Sequence, residues 1–328
     1  MMKIKVPEYF VDFKCIADKC LDSCCIGWEI DIDECTRAKY DGLDTTLGAE
    51  IREKTSHGYF PLRENGRCAF LDDKGLCRII SAEGDGCLCD ICREHPRYYG
   101  VGNGIIEGGL GLGCEEAARM IFTLTELPKL IEIDREIHYE DADKFADVSE
   151  YFRNALMRSL FDLKTDEIVG SFSAYSSLAD EVAFEVSTRG KTVPIKKLTI
   201  APMEHSRLKE LYLDFLDILS ECESLTDDWE KLVKCANDVD TDCLIESLDG
   251  ARGLLYYFTH RYVREGVEDM SLGQRILFAL LSTLTVCALS KVIDKEEKCI
   301  RAAVLYSKNI EYSTDNVDMI LDALSEFL

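Results

Sequence analysis

Residues 13–33 read FKCIADKCLDSCCIGWEIDID and place Cys15, Cys20, Cys24 and Cys25 within eleven residues. Four thiols so close together, interleaved with Asp18, Lys19, Asp22 and Ser23, do not behave as the small apolar fillers that single buried cysteines usually are. Such density points to ligation of a metal or cluster. Further along, Cys68 and Cys77 flank the turn residues Asp72, Asp73, Lys74 and Gly75, so a hairpin is expected to bring them together. GCLCDICREHPR then supplies Cys87, Cys89 and Cys92. Cys114 stands at the start of the first long helical pattern, where the helix dipole biases a thiol toward thiolate.

Zinc sites usually appear as two tight knuckles holding one ion tetrahedrally, and that pattern fits poorly here. The first run overlaps itself, and adjacent Cys24 and Cys25 do not readily turn toward one ion. An iron–sulfur cluster accepts four cysteines from scattered loops, so it is favoured, with zinc as the alternative and room for two centres.

Of the sixteen cysteines, eleven lie between Cys15 and Cys114 and five follow position 220. The opening MMKIKVPEYFVDFKC holds no apolar run of signal-peptide length, and a chain of 328 residues does not need disulfide staples. Reduced thiols in a cytoplasmic protein are therefore expected. The later cysteines, such as Cys235 in KLVKCAND and Cys287 in VCALS, read as core fillers.

The turn signals ENGRC, DDKGLC and AEGDGC and many glycines make the first part irregular. From CEEAARMIFTLTELPKL onward, apolar residues recur three and four apart, and helices are expected in DVSEYFRNALMRSLFDL, EHSRLKELYLDFLDILSECES, DGARGLLYYFTHRYVREG and SLGQRILFALLSTLTVCALSKVI. A small ribbon is possible near HYEDADKF and KTVPIKKLTI. The expected fold class is α+β, mainly α: an irregular cysteine-rich metal or iron–sulfur module over 1–125, followed by an all-α domain over 126–328.

A formal charge of −24 argues against nucleic-acid binding, because phosphates are repelled over most of the surface. The longest apolar stretch, RILFALLSTLTVCALS, is interrupted by serines and threonines and reads as a buried helix, so no membrane partner is expected.

The ordered run FKC with Cys15, then Cys20, Cys24-Cys25-IGWEIDID, GRC with Cys68, GLCRII with Cys77, CREHPR with Cys92 and CEEAAR with Cys114 resembles the flagellin lysine-N-methylase family. It is more distantly similar to zinc- or iron-chelating cysteine-cluster proteins. The resemblance covers about residues 10–125. It implies methyl transfer from S-adenosylmethionine to lysine ε-amines of flagellin before export. It also implies Cys15, Cys20, Cys24, Cys25, Cys68, Cys77, Cys92 and Cys114 as ligands, whereas Cys35, Cys87 and Cys89 fall outside the shared pattern. The competing reading is a non-enzymatic iron–sulfur or zinc protein that carries electrons or docks a partner.

No catalytic or donor-binding residue follows from the sequence. Glu107-x-Gly109-x-Gly111-x-Gly113 matches the acidic-then-glycine turn of Rossmann-like methyltransferases, but helices rather than alternating strands follow it. A turn delivering Cys114 is the better reading, and a glycine-lined donor pocket outside that fold is the testable alternative. Asp31 and Asp33 are candidates for handling a lysine proton, His95 and Arg97 for an anion or cluster sulfide, and Trp28 for packing beside the cluster or clasping a lysine.

Overall fold

The computed structural model describes residues 2–102, 105–135, 145–191, 194–195, 203–226 and 228–328. The fold is α+β and mainly α, about 60% helical with a small sheet. The ribbon expected near 138–145 and 191–200 lies almost wholly outside the described residues.

Strand β1 (Met2–Pro7) is followed by β2 (Ile30–Asp31), helices α1 (Glu34–Asp41) and α2 (Thr46–Lys54), β3 (Tyr59–Phe60), α3 (Arg78–Glu83) and α4 (Asp90–Glu94). Then come β4 (Arg97–Gly102), β5 (Ile105–Leu110), α5 (Glu115–Phe122) and β6 (Leu130–Arg135). The main sheet has the order β4-β5-β1-β6, with β1 parallel to β5 through Ile4 opposite Ile106 and antiparallel to β6 through Ile4 opposite Ile133. The helical reading of CEEAARMIFTLTELPKL thus holds only to Phe122. Pro128 cannot continue a helix, and the alternation in LIEIDR makes a strand with every second side chain exposed.

Helices α6 (Ala146–Ser159), α7 (Thr165–Arg189), α8 (His205–Glu221), α9 (Trp229–Ala236), α10 (Thr241–Ser247), α11 (Arg252–Tyr262), α12 (Leu272–Val292), α13 (Lys298–Tyr306) and α14 (Thr314–Leu324) build the rest. α12 is the spine. It is apolar on every side, and a helix of that kind is stable in water only when covered on every side. Its apolar window is long enough to cross a membrane but is wholly buried among the other helices. The polar residues that interrupt it are satisfied locally: Thr283 donates to the Ala279 carbonyl at 2.8 Å, Thr285 to Leu281 at 2.8 Å, and Ser282 shares a 2.7 Å hydrogen bond with Tyr306.

Two apolar cores result. The smaller gathers Ile30, Ile32, Tyr40, Ile51, Phe60 and Phe70 with Cys89. The larger joins the helices to Ile4, Val6, Phe10, Ile106, Leu110 and Ile121, so residues 1–125 contribute to both.

Candidate functional site: the cysteine module and the cavity beside it

The loop carrying the first cysteines is held to α5 by one carboxylate. Buried Glu115 accepts hydrogen bonds from the backbone N–H groups of Leu21 at 3.1 Å and Asp22 at 2.6 Å, and pairs with Arg119 at 3.4 Å. Because Cys114 is the N-cap of α5, this clamp brings Cys20 and Cys24 toward it. Cys15 completes the group, interacting electrostatically with Cys20, Cys24 and Cys114.

A second group forms around Cys25. The Cys68 N–H donates to the Cys25 carbonyl at 2.8 Å. The Asp72 carboxylate accepts from the N–H groups of Lys74 and Leu76, and Gly75 takes a φ of +82°, so the chain reverses and carries Cys77 back beside Cys68. Cys89 and Cys92, at the start of α4, close the group from the other side. The sequence pattern left Cys89 out, yet it is the most buried thiol here, at 0% exposure. The backbone carbonyl of Cys87 receives the Tyr40 hydroxyl at 2.6 Å, and Cys35 is exposed.

All sixteen cysteines are free. Among the described residues no three His, Cys, Asp or Glu side chains converge tightly enough to hold a single metal ion. Burial raises the Cys20 thiol to about 12 and the Cys68 thiol to about 11. Cys24 donates its S–H to Cys25, so Cys24 is held protonated while Cys25 is lowered to about 7, helped by Ser23, Arg67 and Lys308. Cys92 likewise donates to Cys89, which is lowered.

The remaining sequence candidates have mostly structural work. Gly109 and Gly113 do not face a donor pocket: a Cβ on Gly109 would lie 2.4 Å from the Tyr98 hydroxyl, and one on Gly113 2.1 Å from that of Tyr312. Tyrosines fill the space a cofactor would need. Glu107 is paired with Arg153 at 2.5 and 3.0 Å inside the fold. Asp33 caps α1 through the Thr36 N–H at 2.8 Å and accepts the Asp90 N–H at 2.9 Å. Burial opposes its charge, but these hydrogen bonds win and lower its pKa. Asp31 is exposed on β2. The Arg97 guanidinium lies 5.5 Å from the Phe10 ring and 5.2 Å from that of Phe13. Trp28 donates to the Cys24 carbonyl at 2.7 Å. Of the later cysteines, Cys222 and Cys287 are core fillers as expected, whereas Cys235 and Cys299 are exposed and Cys243 is half-buried.

What the sequence did not reveal is how the helices reach into the cysteine module. The segment Ser307–Glu311 between α13 and α14 is a π-helical turn, a distortion often found at functional sites. It directs Lys308 to the Asp22 carboxylate at 2.6 Å and places Tyr312 on Trp28, with ring centroids 5.0 Å apart. Glu311, on the same turn, accepts from the hydroxyls of Tyr257 at 2.7 Å and Tyr262 at 2.8 Å, and Arg261 lies 3.3 Å away. Beside this junction, between the Cys20–Cys24 loop and α9, α12 and α13, lies a half-open cavity of about 360 Å³. Through Asp22 and Thr226 it adjoins a smaller one of about 90 Å³ that ends at Trp28 and Tyr312.

No protein-family model matches the chain, and no solved structure matches it. Among curated proteins, flagellar biosynthetic protein FliU of Salmonella muenchen is 30% identical over 125 residues, covering 35% of this chain and 74% of FliU. The lysine-N-methylases of Salmonella typhimurium and Salmonella choleraesuis are also 30% identical over 125 residues, covering 35% of this chain and 31% of each relative. The chain therefore spans about a third of the length of the lysine-N-methylases it matches and about three quarters of FliU. By that relationship the chain belongs to the flagellin lysine-N-methylase family, together with FliU and the lysine-N-methylases.

Proposed function

We propose that the chain is a protein-lysine N-methyltransferase of the cytoplasm that transfers methyl from S-adenosylmethionine to lysine ε-amines of flagellin. The observation that carries this reading is the relationship to proteins named lysine-N-methylase, and the relationship to FliU points the same way, toward flagellar biosynthesis. The reaction needs a neutral amine. Its lone pair attacks the sulfonium methyl carbon, the C–S bond breaks, S-adenosylhomocysteine leaves, and the proton released from nitrogen passes to solvent or a base.

We further propose that Cys15, Cys20, Cys24 and Cys114 serve one centre and Cys25, Cys68, Cys77 and Cys92 another, at least one of them an iron–sulfur cluster, with zinc as the alternative. The donor set supports this: each group contains the four thiols such a cluster takes, and none is spent in a disulfide. Cys89 stands close enough to Cys92 to replace a member of the second set. When bound, a cluster supplies a rigid cross-link among loops that share a small apolar core.

The test is incubation of anaerobically purified protein with flagellin and S-adenosylmethionine, read by mass spectrometry of the flagellin lysines. Methyl-mass increments on lysine are expected, and flagellin left unmodified would overturn the methylase reading. Elemental analysis showing neither iron nor zinc in that preparation would overturn the metal reading.

A further inference from the structure

We infer that the cavity between the Cys20–Cys24 loop and helices α9, α12 and α13 is the binding site of the methyl donor, an inference that rests on the methylase reading. Its volume of about 360 Å³ falls within the range of small-molecule sites. Three features of its lining fit one ligand chemistry.

First, Lys231, Lys295 and Arg301 line the cavity, and among the described residues none of them has a carboxylate within 4.0 Å. Arg301 spends only its Nε, on the Glu296 carbonyl at 3.1 Å. In a chain with 62 acidic and 38 basic residues, most cations have an acidic neighbour available, so three that form no ion pair within 4.0 Å among the described residues around one opening favour an anionic group. Second, the lining acids divide. Asp22 is paired with Lys308, and Glu115 is occupied by the Leu21 and Asp22 N–H groups and Arg119. Asp228 and Asp294 form no side-chain hydrogen bond or ion pair among the described residues and are available to a cation. Third, Leu232, Val292 and Leu305 give the cavity an apolar surface, and the adjoining space is lined by the Trp28 and Tyr312 rings.

Unpaired carboxylates, cations and an apolar surface lining one cavity suit a ligand that joins an amino-acid carboxylate and ammonium, a sulfonium and a flat ring system, which describes S-adenosylmethionine. A lysine side chain from a protein substrate would leave the three cations unused. A polyanionic nucleotide would leave Asp228 and Asp294 without a cation to meet. Two of its lining residues come from the segments that carry the first thiol group, because Asp22 lies between Cys20 and Cys24 and Glu115 follows Cys114.

The experiment is isothermal titration of the full chain, purified anaerobically, with S-adenosylmethionine. Wild type, Lys231→Gln, Arg301→Gln and Leu232→Trp are compared, with Lys209→Gln as a surface control away from the cavity. Lys231 is exposed and unpaired, so its variant folds as wild type does, and a thermal melt checks the other two. The expected result is binding by wild type and by the control, a loss of affinity of about ten-fold for Arg301→Gln and several-fold for Lys231→Gln, and no measurable binding by Leu232→Trp. If wild type binds and all three cavity variants bind within about two-fold of it, the donor sits elsewhere and only the site assignment falls. If wild type does not bind, the methylase reading falls and this assignment falls with it.

Discussion

Cys24 and Cys25 are neighbours in sequence and belong to different groups of thiols: Cys24 faces Cys15 and Cys114, while Cys25 faces Cys68 and Cys77. The pair sits at the centre of a turn closed by the Ile26 N–H on the Ser23 carbonyl at 3.1 Å, and the Cys24 S–H donates to Cys25, so the two thiols stand where the two groups meet and are placed to serve one each. If each group holds its own centre, Cys24→Ser and Cys25→Ser each remove part of the bound iron or zinc, and the double substitution removes more than either. Metal content per chain, measured by elemental analysis after anaerobic purification, checks this. Identical complete loss from either single substitution would mean one shared centre.

Substituting ligands also separates the early cysteines from the late ones. Cys92→Ser is expected to lower the melting temperature of the metal-loaded protein, because loops around a small core lose their cross-link. Cys235→Ser, at an exposed position on α9, is expected to leave it unchanged. Thermal melts of the two variants side by side decide it, and equal shifts would count against ligation by Cys92.

The alternation of thiols with turn residues in 13–33 and 68–92 was legible because covalent spacing alone brings such residues near one another. Helices α5, α6, α8, α11 and α12 were legible from their apolar period, and the burial of α12 from its apolar composition on all sides, whereas the short helices α1 to α4, in a part read as irregular, were not. That Cys24 and Cys25 do not share one ion was legible, but which thiols each one meets was not, since it depends on a clamp between Glu115 and the N–H groups of Leu21 and Asp22, some ninety residues apart in the chain. The contribution of Lys308 and Tyr312 was hidden for the same reason. They meet Asp22 and Trp28 only through a π-helical turn near the carboxyl end, and no local pattern announces that meeting. The glycines after Glu107 left a donor pocket open as the alternative to a turn delivering Cys114. Both a glycine-lined donor pocket and a tyrosine packed on backbone require a missing Cβ, and sequence does not say which partner takes the space.

That last ambiguity gives a direct test. A Cβ on Gly113 would lie 2.1 Å from the Tyr312 hydroxyl and 2.6 Å from its ring carbon, too close for either to stay in place. Gly113→Ala is therefore expected to destabilise by about 1–3 kcal/mol through overpacking. Tyr312→Phe on its own is expected to be close to neutral, because the buried hydroxyl has no hydrogen-bond partner among the described residues to lose. Combined with Gly113→Ala, it is expected to recover part of the loss. Urea midpoints of the single and double variants check both statements.

The Glu107–Arg153 pair is buried on both sides and makes two hydrogen bonds between α6 and β5. Removing one partner strands a charge in the interior, whereas removing both exchanges an ion pair for apolar packing. Arg153→Met alone is expected to cost about 3–5 kcal/mol, and Glu107→Leu with Arg153→Met to recover most of that. Denaturant unfolding of the single and double variants measures the difference. A double variant no better than the single one would show that Glu107 draws its stabilisation from elsewhere.

His95 supplies the pH dependence. Burial, with the neighbouring Lys308 charge, lowers its pKa to about 4, and its Nε2 has no hydrogen-bond partner among the described residues. The folded protein therefore keeps it neutral, while the unfolded chain takes up a proton near pH 6.5. Between those values the unfolded state binds more protons, so stability falls as pH falls from about 6.5 to about 4, by up to about 3 kcal/mol. Its full contribution is present above pH 6.5. His95→Phe keeps an aromatic ring beside Trp28 and removes the titrating group, so its stability is expected to change less with pH across that window. Denaturation midpoints of wild type and variant from pH 7 to pH 4 make the comparison. Parallel curves would mean that another group, such as a paired carboxylate, controls acid unfolding.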